Sequence, residues 1–121
     1  MIKKLKPHDL GKKGEKVALQ YLKKKKYKIL EIRFRLFRGE IDIIASDKNI
    51  LVFIEVKTRR DRRFGFPEEA VSQSKQQQIK KIAQGFLMSY KDQDKECRFD
   101  VISIIFDESK GSSVQHFKNA F

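Results

Sequence analysis

Two neighbouring apolar segments of the sequence, GEIDIIA and FIEVK, contain charged residues that are unusual for core strands. The first segment holds Asp42, and the second holds Glu55 and Lys57. Carboxylate oxygens, with a backbone carbonyl such as that of Val56, are the ligands that Mg²⁺ and Mn²⁺ prefer. A metal held in this way polarises a phosphodiester and lowers the pKa of a bound water, while Lys57 stabilises developing negative charge. The residue types and their spacing therefore indicate metal-dependent phosphodiester hydrolysis.

These residues are predicted to lie on a β-hairpin. We predict strands at residues 40–45 and 50–57, joined by a two-residue turn at Lys48 and Asn49. Because side chains alternate along a strand, successive residues of the first strand should lie on opposite faces of the sheet. One face would carry Glu40, Asp42 and Ile44, and the other would carry Ile41, Ile43 and Ala45.

The predicted turn decides which charges face each other. Asp42 should lie opposite Glu55, and Glu40 should lie opposite Lys57. One interpretation is a solvated face, which is common in antiparallel sheets. The same face also carries Phe53, which favours a helix covering it. Buried carboxylates then need a counter-charge, which either Lys57 or a divalent cation would supply.

The composition limits the classes of protein and partner. The 121-residue chain carries a net charge of +12, which favours a polyanionic partner, with nucleic acid ahead of an anionic membrane surface. No apolar run is long enough to span a bilayer and the first residues do not resemble a secretory signal, so we expect a cytoplasmic protein with no membrane partner. A single cysteine, Cys97, excludes an intrachain disulfide, and His8 and His116 are too few for a histidine metal site.

The remaining sequence patterns predict the helices and strands around the hairpin. They are a helix from the N-cap Asp9 to about Lys26, a strand at 27–37, a helix from Pro67 to about residue 90, a strand at 99–106 and an irregular tail from about residue 107. We therefore predict a single α/β domain over residues 1–121, in the order αβββαβ.

A basic loop follows the second hairpin strand. It contains Arg59, Arg60, Arg62, Arg63 and the aromatic Phe64. Guanidinium groups bind phosphates and aromatic rings stack on exposed bases, so this loop is predicted to bind nucleic acid.

Four segments carry a resemblance to a known family. GEIDIIA, FIEVKTR, FPEEAVSQSKQ and RFDVI resemble the YraN-like proteins of bacteria, over about Gly11 to Ile102. That family is similar to Holliday-junction resolvases of the PD-(D/E)xK, restriction-endonuclease-like superfamily. The resemblance implies a mixed central sheet flanked by helices, and Mg²⁺- or Mn²⁺-dependent cleavage of DNA, rather than RNA, with branched or damaged DNA as the expected substrate. It also implies a symmetric homodimer.

The resemblance assigns roles to individual residues. Asp42 and Glu55 match the metal-binding acids and Lys57 matches the motif lysine. Glu15, in GKKGEKVA, matches a glutamate that resolvase-like members add from the first helix. We therefore expect these side chains to share one active site.

Three further residues are predicted to surround that site. Glu40 is expected either to be a further acid near the metal or to form an ion pair with Lys57. Lys75 lies on the apolar stripe of the second helix, where its ammonium would reach the active site or a phosphate or extend to solvent. Gln78 shares that stripe and would contact the site or form its rim.

Two functional hypotheses follow. The first is a metal-dependent DNA nuclease acting through Asp42, Glu55 and Lys57. The second is a nucleic-acid-binding module that keeps the fold without cleavage. Paired buried acids favour the first, because a binding module gains nothing from them. Binding to a membrane surface is disfavoured because the positive charges are spread over several elements.

Overall fold

The computed structural model describes residues 6–60, 71–90, 95–107 and 111–121. In these residues the elements are α1 (Pro7–Lys24), β1 (Lys28–Leu36), β2 (Gly39–Asp47), β3 (Ile50–Arg59), α2 (Gln73–Ser89), β4 (Cys97–Asp107) and β5 (Gly111–Phe117). The predicted α/β class and the predicted α, β, β, β, α, β order are confirmed, with one additional strand at the end.

The strands form one mixed sheet in the order β1-β2-β3-β4-β5. Strands β3 and β4 are parallel, whereas the other neighbouring pairs are antiparallel. A parallel pair needs a crossover connection, and α2 lies between these two strands in the chain. The arrangement is that of a restriction-endonuclease-like core. In the described part of the chain, neither helix is long and apolar enough to cross a membrane.

Each face of the sheet is covered by one helix. On one face, Ala18 and Leu22 of α1 pack in the same buried cluster as Val52 and Ile54. On the other face, buried α2 residues pack against Phe53. The prediction that a helix covers the face carrying Phe53 is therefore confirmed, and Glu55 does not lie on a solvated sheet face.

Both helices begin at residues other than those predicted. Helix α1 begins at Pro7 after Lys6, so Asp9 lies in the first turn, where its charge suits the helix dipole, and is not the N-cap. Helix α2 begins at Gln73, because Ser72 is extended and its hydroxyl accepts the backbone N–H of Lys75 at 3.2 Å. A helix running unbroken from Pro67 to about residue 90 is therefore excluded, and the predicted start at Pro67 itself lies outside the described residues.

The C-terminal segment is a strand rather than the predicted irregular tail from about residue 107. Strand β5 pairs antiparallel with β4, with Val114 opposite Ile104 and His116 opposite Ile102. Its sequence, GSSVQHF, is mostly polar because β5 is at the edge of the sheet and mostly exposed. The apolar alternation that marks a half-buried strand is therefore weak in this segment.

The β2–β3 hairpin has the predicted register. Ile43 pairs with Ile54 and Asp47 with Ile50, which leaves Lys48 and Asn49 as the two-residue turn. The left-handed backbone of Lys48, with φ 57°, fits such a turn.

The predicted alternation along β2 fails at one place. Ile41 packs on the α2 side of the sheet together with Ile44, whereas Ile43 packs on the α1 side. In the neighbouring strand, Arg33 has a left-handed backbone with φ 52°, while the pairs on either side of it, Ile32–Ile43 and Phe34–Ile41, keep the same register. This distortion beside Asp42 changes which way the strand residues face, which simple alternation could not anticipate.

Candidate active site

Asp42 lies where β2 and β3 stop pairing with each other. The pairing extends to Ile43 and Ile54, and the backbone N–H of Val56 then donates to Oδ2 of Asp42 at 2.8 Å. The Asp42 carboxylate thus takes a hydrogen bond from β3 directly beside Glu55. The local chain geometry fixes this carboxylate in one orientation.

Glu55 is a buried acid with an unsatisfied oxygen. The residue is 6% exposed, and Oε2 has no hydrogen-bond partner among the described residues. Burial, the hydrogen bond with Asp42 and the charge of Asp42 raise the pKa of Glu55 to about 9, although the charges of Lys75 and Lys57 oppose this rise. Without a cation, one proton is therefore retained by this pair of carboxylates near neutral pH.

Helix α2 brings Lys75 to the buried acid. Its Nζ lies 3.8 Å from Glu55 Oε2, which is an ionic contact that is too long for a hydrogen bond. The ammonium remains partly exposed, so it lies between the acid and solvent. Gln78 lies one helical turn further along α2 and, with Lys75, lines a neighbouring cavity. Lys75 therefore reaches Glu55, whereas Gln78 lines the neighbouring cavity and its contact with the site stays a prediction.

Helix α1 brings Glu15 to the other side of Asp42. Gly14 makes this possible, because a Cβ at that position would collide with the Thr58 side chain of β3. Glu15 accepts hydrogen bonds from Arg33 Nε at 3.0 and 3.2 Å. These bonds and the charge of Glu15 raise the pKa of Arg33. Glu15 therefore shares the site with Asp42 but already has an ionic partner.

One cavity opens at Asp42, and a second opens at Lys75. One, of about 410 Å³, is lined by His8, Lys12, Glu15, Arg33, Asp42 and Val56, among others. The other, of about 640 Å³, is lined by Leu36, Arg38, Gly39, Lys75 and Gln78, among others. Arg35 and Glu40 line both cavities. Basic side chains therefore line both cavities, of which the first is also lined by Asp42 and the second by Lys75, the ionic partner of Glu55.

Glu40 has a different partner from the one that the hairpin register predicted. It pairs with Arg35 of β1 in the sheet, and Arg35 Nε donates to Glu40 Oε2 at 3.1 Å. The β2–β3 pairing ends before Glu40, so the expected contact with Lys57 is wrong. Glu40 still lies close to the site, because it lines both cavities.

The predicted nucleic-acid-binding loop is described only at its start. Arg59 is the last residue of β3 and partly buried, and Arg60 follows it and is exposed. Arg62, Arg63 and Phe64 lie outside the described residues. Lys57 is partly buried on β3, close enough for its charge to lower the pKa of Glu55.

The donor set fits a hard divalent cation. Among the described residues, no three His, Cys, Asp or Glu side chains form a metal-binding group. Asp42 and Glu55 nevertheless place two carboxylates together, and Oε2 of Glu55 has no hydrogen bond to any part of the chain that the structure describes. Mg²⁺ usually keeps several waters and takes one or two protein carboxylates, so this pair suffices, with the carbonyl of Val56 as a predicted third ligand.

A buried polar network on the α1 side of the sheet is separate from this site. Asp100 is fully buried, and it accepts hydrogen bonds from Arg98 Nε at 2.9 Å and bonds to His116 Nε2 at 2.6 Å. Arg98 also donates to the Tyr27 hydroxyl at 2.8 Å, and His116 Nδ1 bonds to the Tyr21 hydroxyl. Asp100 thus pairs with an arginine of its own strand, whereas its bond to His116 depends on the pairing of β5 with β4.

Comparisons with known proteins agree on one family. The model of the uncharacterised protein family UPF0102 matches residues 14–104. A UPF0102 protein of Caldanaerobacter subterraneus subsp. tengcongensis is 48% identical over 122 residues, which covers 99% of this chain and 100% of that relative. UPF0102 proteins of Thermodesulfovibrio yellowstonii and Geobacter metallireducens are 48% and 47% identical, over 93% of this chain and 96% and 91% of theirs. The chain therefore belongs to family UPF0102, as its resemblance to the YraN-like proteins implied.

Proposed function

We propose that this protein is a metal-dependent nuclease that hydrolyses phosphodiester bonds of DNA. The observation that carries the proposal is the pairing of half-buried Asp42 with buried Glu55, one of whose carboxylate oxygens has no hydrogen bond to any described residue. Two adjacent acids weaken the fold when both are charged, unless a cation binds between them. Such a costly arrangement favours a metal site over a purely structural role.

The chain's own residues divide the work of such a site. Asp42 and Glu55 would hold Mg²⁺ or Mn²⁺, which when bound polarises the phosphodiester and activates a water. The N–H of Val56 keeps the Asp42 carboxylate oriented. Lys57 lies on the same strand as Glu55. Its positive charge would stabilise the negative charge that develops on the phosphate oxygens in the transition state. Lys75 neutralises Glu55 from the side of α2.

The surroundings favour a polyanionic substrate. The net charge is +12, and Lys12, Arg33, Arg38 and Lys75 are among the residues that line the two cavities. Basic side chains in the cavity at Asp42 and in the cavity at Lys75 suit the phosphates that flank a scissile bond. The resemblance to resolvases favours DNA, including branched or damaged forms.

A DNA-binding module without cleavage is the second candidate. Glu55 already has Lys75 as an ionic partner, and Glu15 already has Arg33. Lys75 and Arg33 thus place positive charge beside these acids without any metal, as a binding module would require. The two candidates differ in what removing an acid should do: a nuclease loses turnover, whereas a binding module gains affinity for phosphates.

A substrate panel separates the two candidates. The protein is incubated with duplex, single-stranded, flapped and four-way DNA in Mg²⁺ or Mn²⁺, beside Glu55→Gln, Lys57→Ala and the exposed control Glu31→Gln. Cleavage that both active-site variants lose and the control keeps supports the nuclease. Binding without cleavage, and tighter binding by Glu55→Gln, supports the module. Cleavage that survives both active-site substitutions contradicts the proposed site.

A further inference from the structure

The tip of the β1–β2 hairpin has an unusual sequence for its conformation. Leu36 pairs with Gly39, so Phe37 and Arg38 alone form the turn. Both have a left-handed backbone, with φ 51° and 58°. Two-residue turns of this kind normally contain asparagine, aspartate or glycine, because a side chain with Cβ is strained there.

Burial does not explain why this turn contains a phenylalanine. Phe37 is 54% exposed, so much of its ring area remains in water. A strained backbone that displays an aromatic ring is typical of a functional position rather than a structural one.

The helix beside the turn holds the ring in place. Gly85 of α2 lies under the hairpin, where a Cβ would collide with Leu36 and approach Phe37 Cε2 to 3.0 Å. The ammonium of Lys81, also on α2, lies 5.2 Å from the centre of the Phe37 ring. The exposed ring is therefore supported by α2 near Gly85 and has the Lys81 ammonium over one of its two faces, so a stacking partner would use the other face.

The turn is continuous with the candidate active site. Leu36, Arg38 and Gly39 line the cavity that Lys75 also lines. Lys75 in turn contacts Glu55 Oε2 at 3.8 Å. A single chain of phosphates could thus pass from Arg38 to Lys75 and on to the carboxylate pair.

We propose that Phe37 is a platform on which an unpaired base of a DNA strand stacks, beside the active site. Arg38 and Lys81 bind phosphates next to that base, and Lys75 directs the strand toward Asp42 and Glu55. Stacking on an aromatic ring needs a base with an open face, which duplex DNA hides. This inference rests on the proposed function and narrows its substrate to DNA with an unpaired segment.

The test measures binding rather than cleavage. Fluorescence anisotropy in EDTA compares a labelled single strand with the duplex of the same sequence, for wild type, Phe37→Ala and the exposed control Met88→Ala. We expect Phe37→Ala to weaken single-strand binding about tenfold, which corresponds to roughly one stacked base, and to leave duplex binding unchanged. Met88→Ala should bind both DNAs as wild type does.

A second variant tests stacking directly. The chain contains no tryptophan, so Phe37→Trp introduces a single fluorophore at the platform. This variant should keep wild-type affinity for the single strand, and bound bases should quench its emission, whereas the duplex should not. Thermal melts confirm that each variant is folded.

The inference and the proposed function can fail separately. Specific loss of single-strand binding in Phe37→Ala without any DNA cleavage by wild type supports the platform and contradicts the nuclease. DNA cleavage with an unchanged Phe37→Ala contradicts the platform alone. Equal losses on single strand and duplex, unquenched Phe37→Trp emission, or no DNA binding by wild type each overturn the inference.

Discussion

Lys75 Nζ lies 3.8 Å from Glu55 Oε2, and this contact joins helix α2 to the buried carboxylate of β3. The oxygen that faces Lys75 accepts no hydrogen bond from any described residue. A cation can replace Lys75 at this oxygen at little cost, because the contact is too long to be a hydrogen bond and none is lost when it is broken. The pair therefore leaves Glu55 available to a divalent cation, which is the main physical argument for a metal site.

The pKa of Glu55 predicts how stability depends on pH in the metal-free protein. The pKa is about 9 in the folded chain against an ordinary value of 4.5, so the folded state binds more protons between these values. The free energy of unfolding should therefore fall as pH rises through this window, by up to about 1.4 kcal/mol per pH unit.

Glu55→Gln removes this titration. Urea unfolding in EDTA between about pH 5.5 and 8.5 should give a flatter dependence for Glu55→Gln than for wild type, and greater stability at the upper end. Glu31→Gln, an exposed acid on β1, is the control and should keep the wild-type slope. Identical slopes for wild type and Glu55→Gln would show that Glu55 is not held protonated by its surroundings.

Divalent metal should stabilise the folded chain through the same carboxylates. Ligand binding at 100 times Kd adds about 2.7 kcal/mol to the free energy of unfolding, so Mn²⁺ should raise the Tm of wild type by several degrees. Asp42→Asn removes one proposed ligand and should lose this rise, while Glu31→Gln should keep it. An equal rise in Asp42→Asn places the metal elsewhere.

Gly14 and Gly11 form a matched pair on helix α1. A Cβ at position 14 would collide with Thr58, whereas nothing lies within 4 Å of a Cβ at position 11. Gly14→Ala should therefore cost about 1–3 kcal/mol of stability, and it should displace Glu15 from the site. Gly11→Ala should stabilise the helix by up to about 1 kcal/mol. Chemical denaturation measures both, and equal effects would contradict the close helix–strand approach.

Substitutions that relieve the strained turn at Phe37 and Arg38 should raise the stability of the fold and lower the affinity for single-stranded DNA. The double substitution Phe37→Asn with Arg38→Gly supplies the residues that left-handed turns prefer, and should raise stability by about 1 kcal/mol or more. It should also weaken binding to single-stranded DNA, because both the ring and the guanidinium are lost. A variant that is more stable and binds as wild type does would show that the strain serves no binding purpose.

Most of the β2–β3 hairpin could be predicted from sequence. Its apolar and charged residues alternate and its turn is short and polar, so few pairing registers of the two strands are possible. Asp42 and Glu55 came together for this reason. Ser72, by contrast, is one of several capping candidates near α2, and only the structure shows which one the helix uses.

Contacts that depend on the pairing of β1 with β2, or of β5 with β4, could not be predicted from local sequence patterns. Glu40 pairs with Arg35 because β1 aligns beside β2, and the left-handed Arg33 that reorients Ile41 has no clear sequence signature. His116 joins Asp100 only because β5 pairs with β4. Long-range pairing and single-residue distortions of a strand are the properties that local patterns do not contain.

Single-turnover cleavage by matched preparations tests the central claim most directly. Wild type, Glu55→Gln and Glu31→Gln are each mixed in excess with a DNA that contains an unpaired segment, in Mn²⁺ and in EDTA. Mn²⁺-dependent cleavage by wild type and Glu31→Gln, with a loss of at least about 100-fold in Glu55→Gln, is the predicted result. Cleavage by Glu55→Gln at the wild-type rate, or cleavage by wild type in EDTA, would contradict a nuclease built on this carboxylate pair.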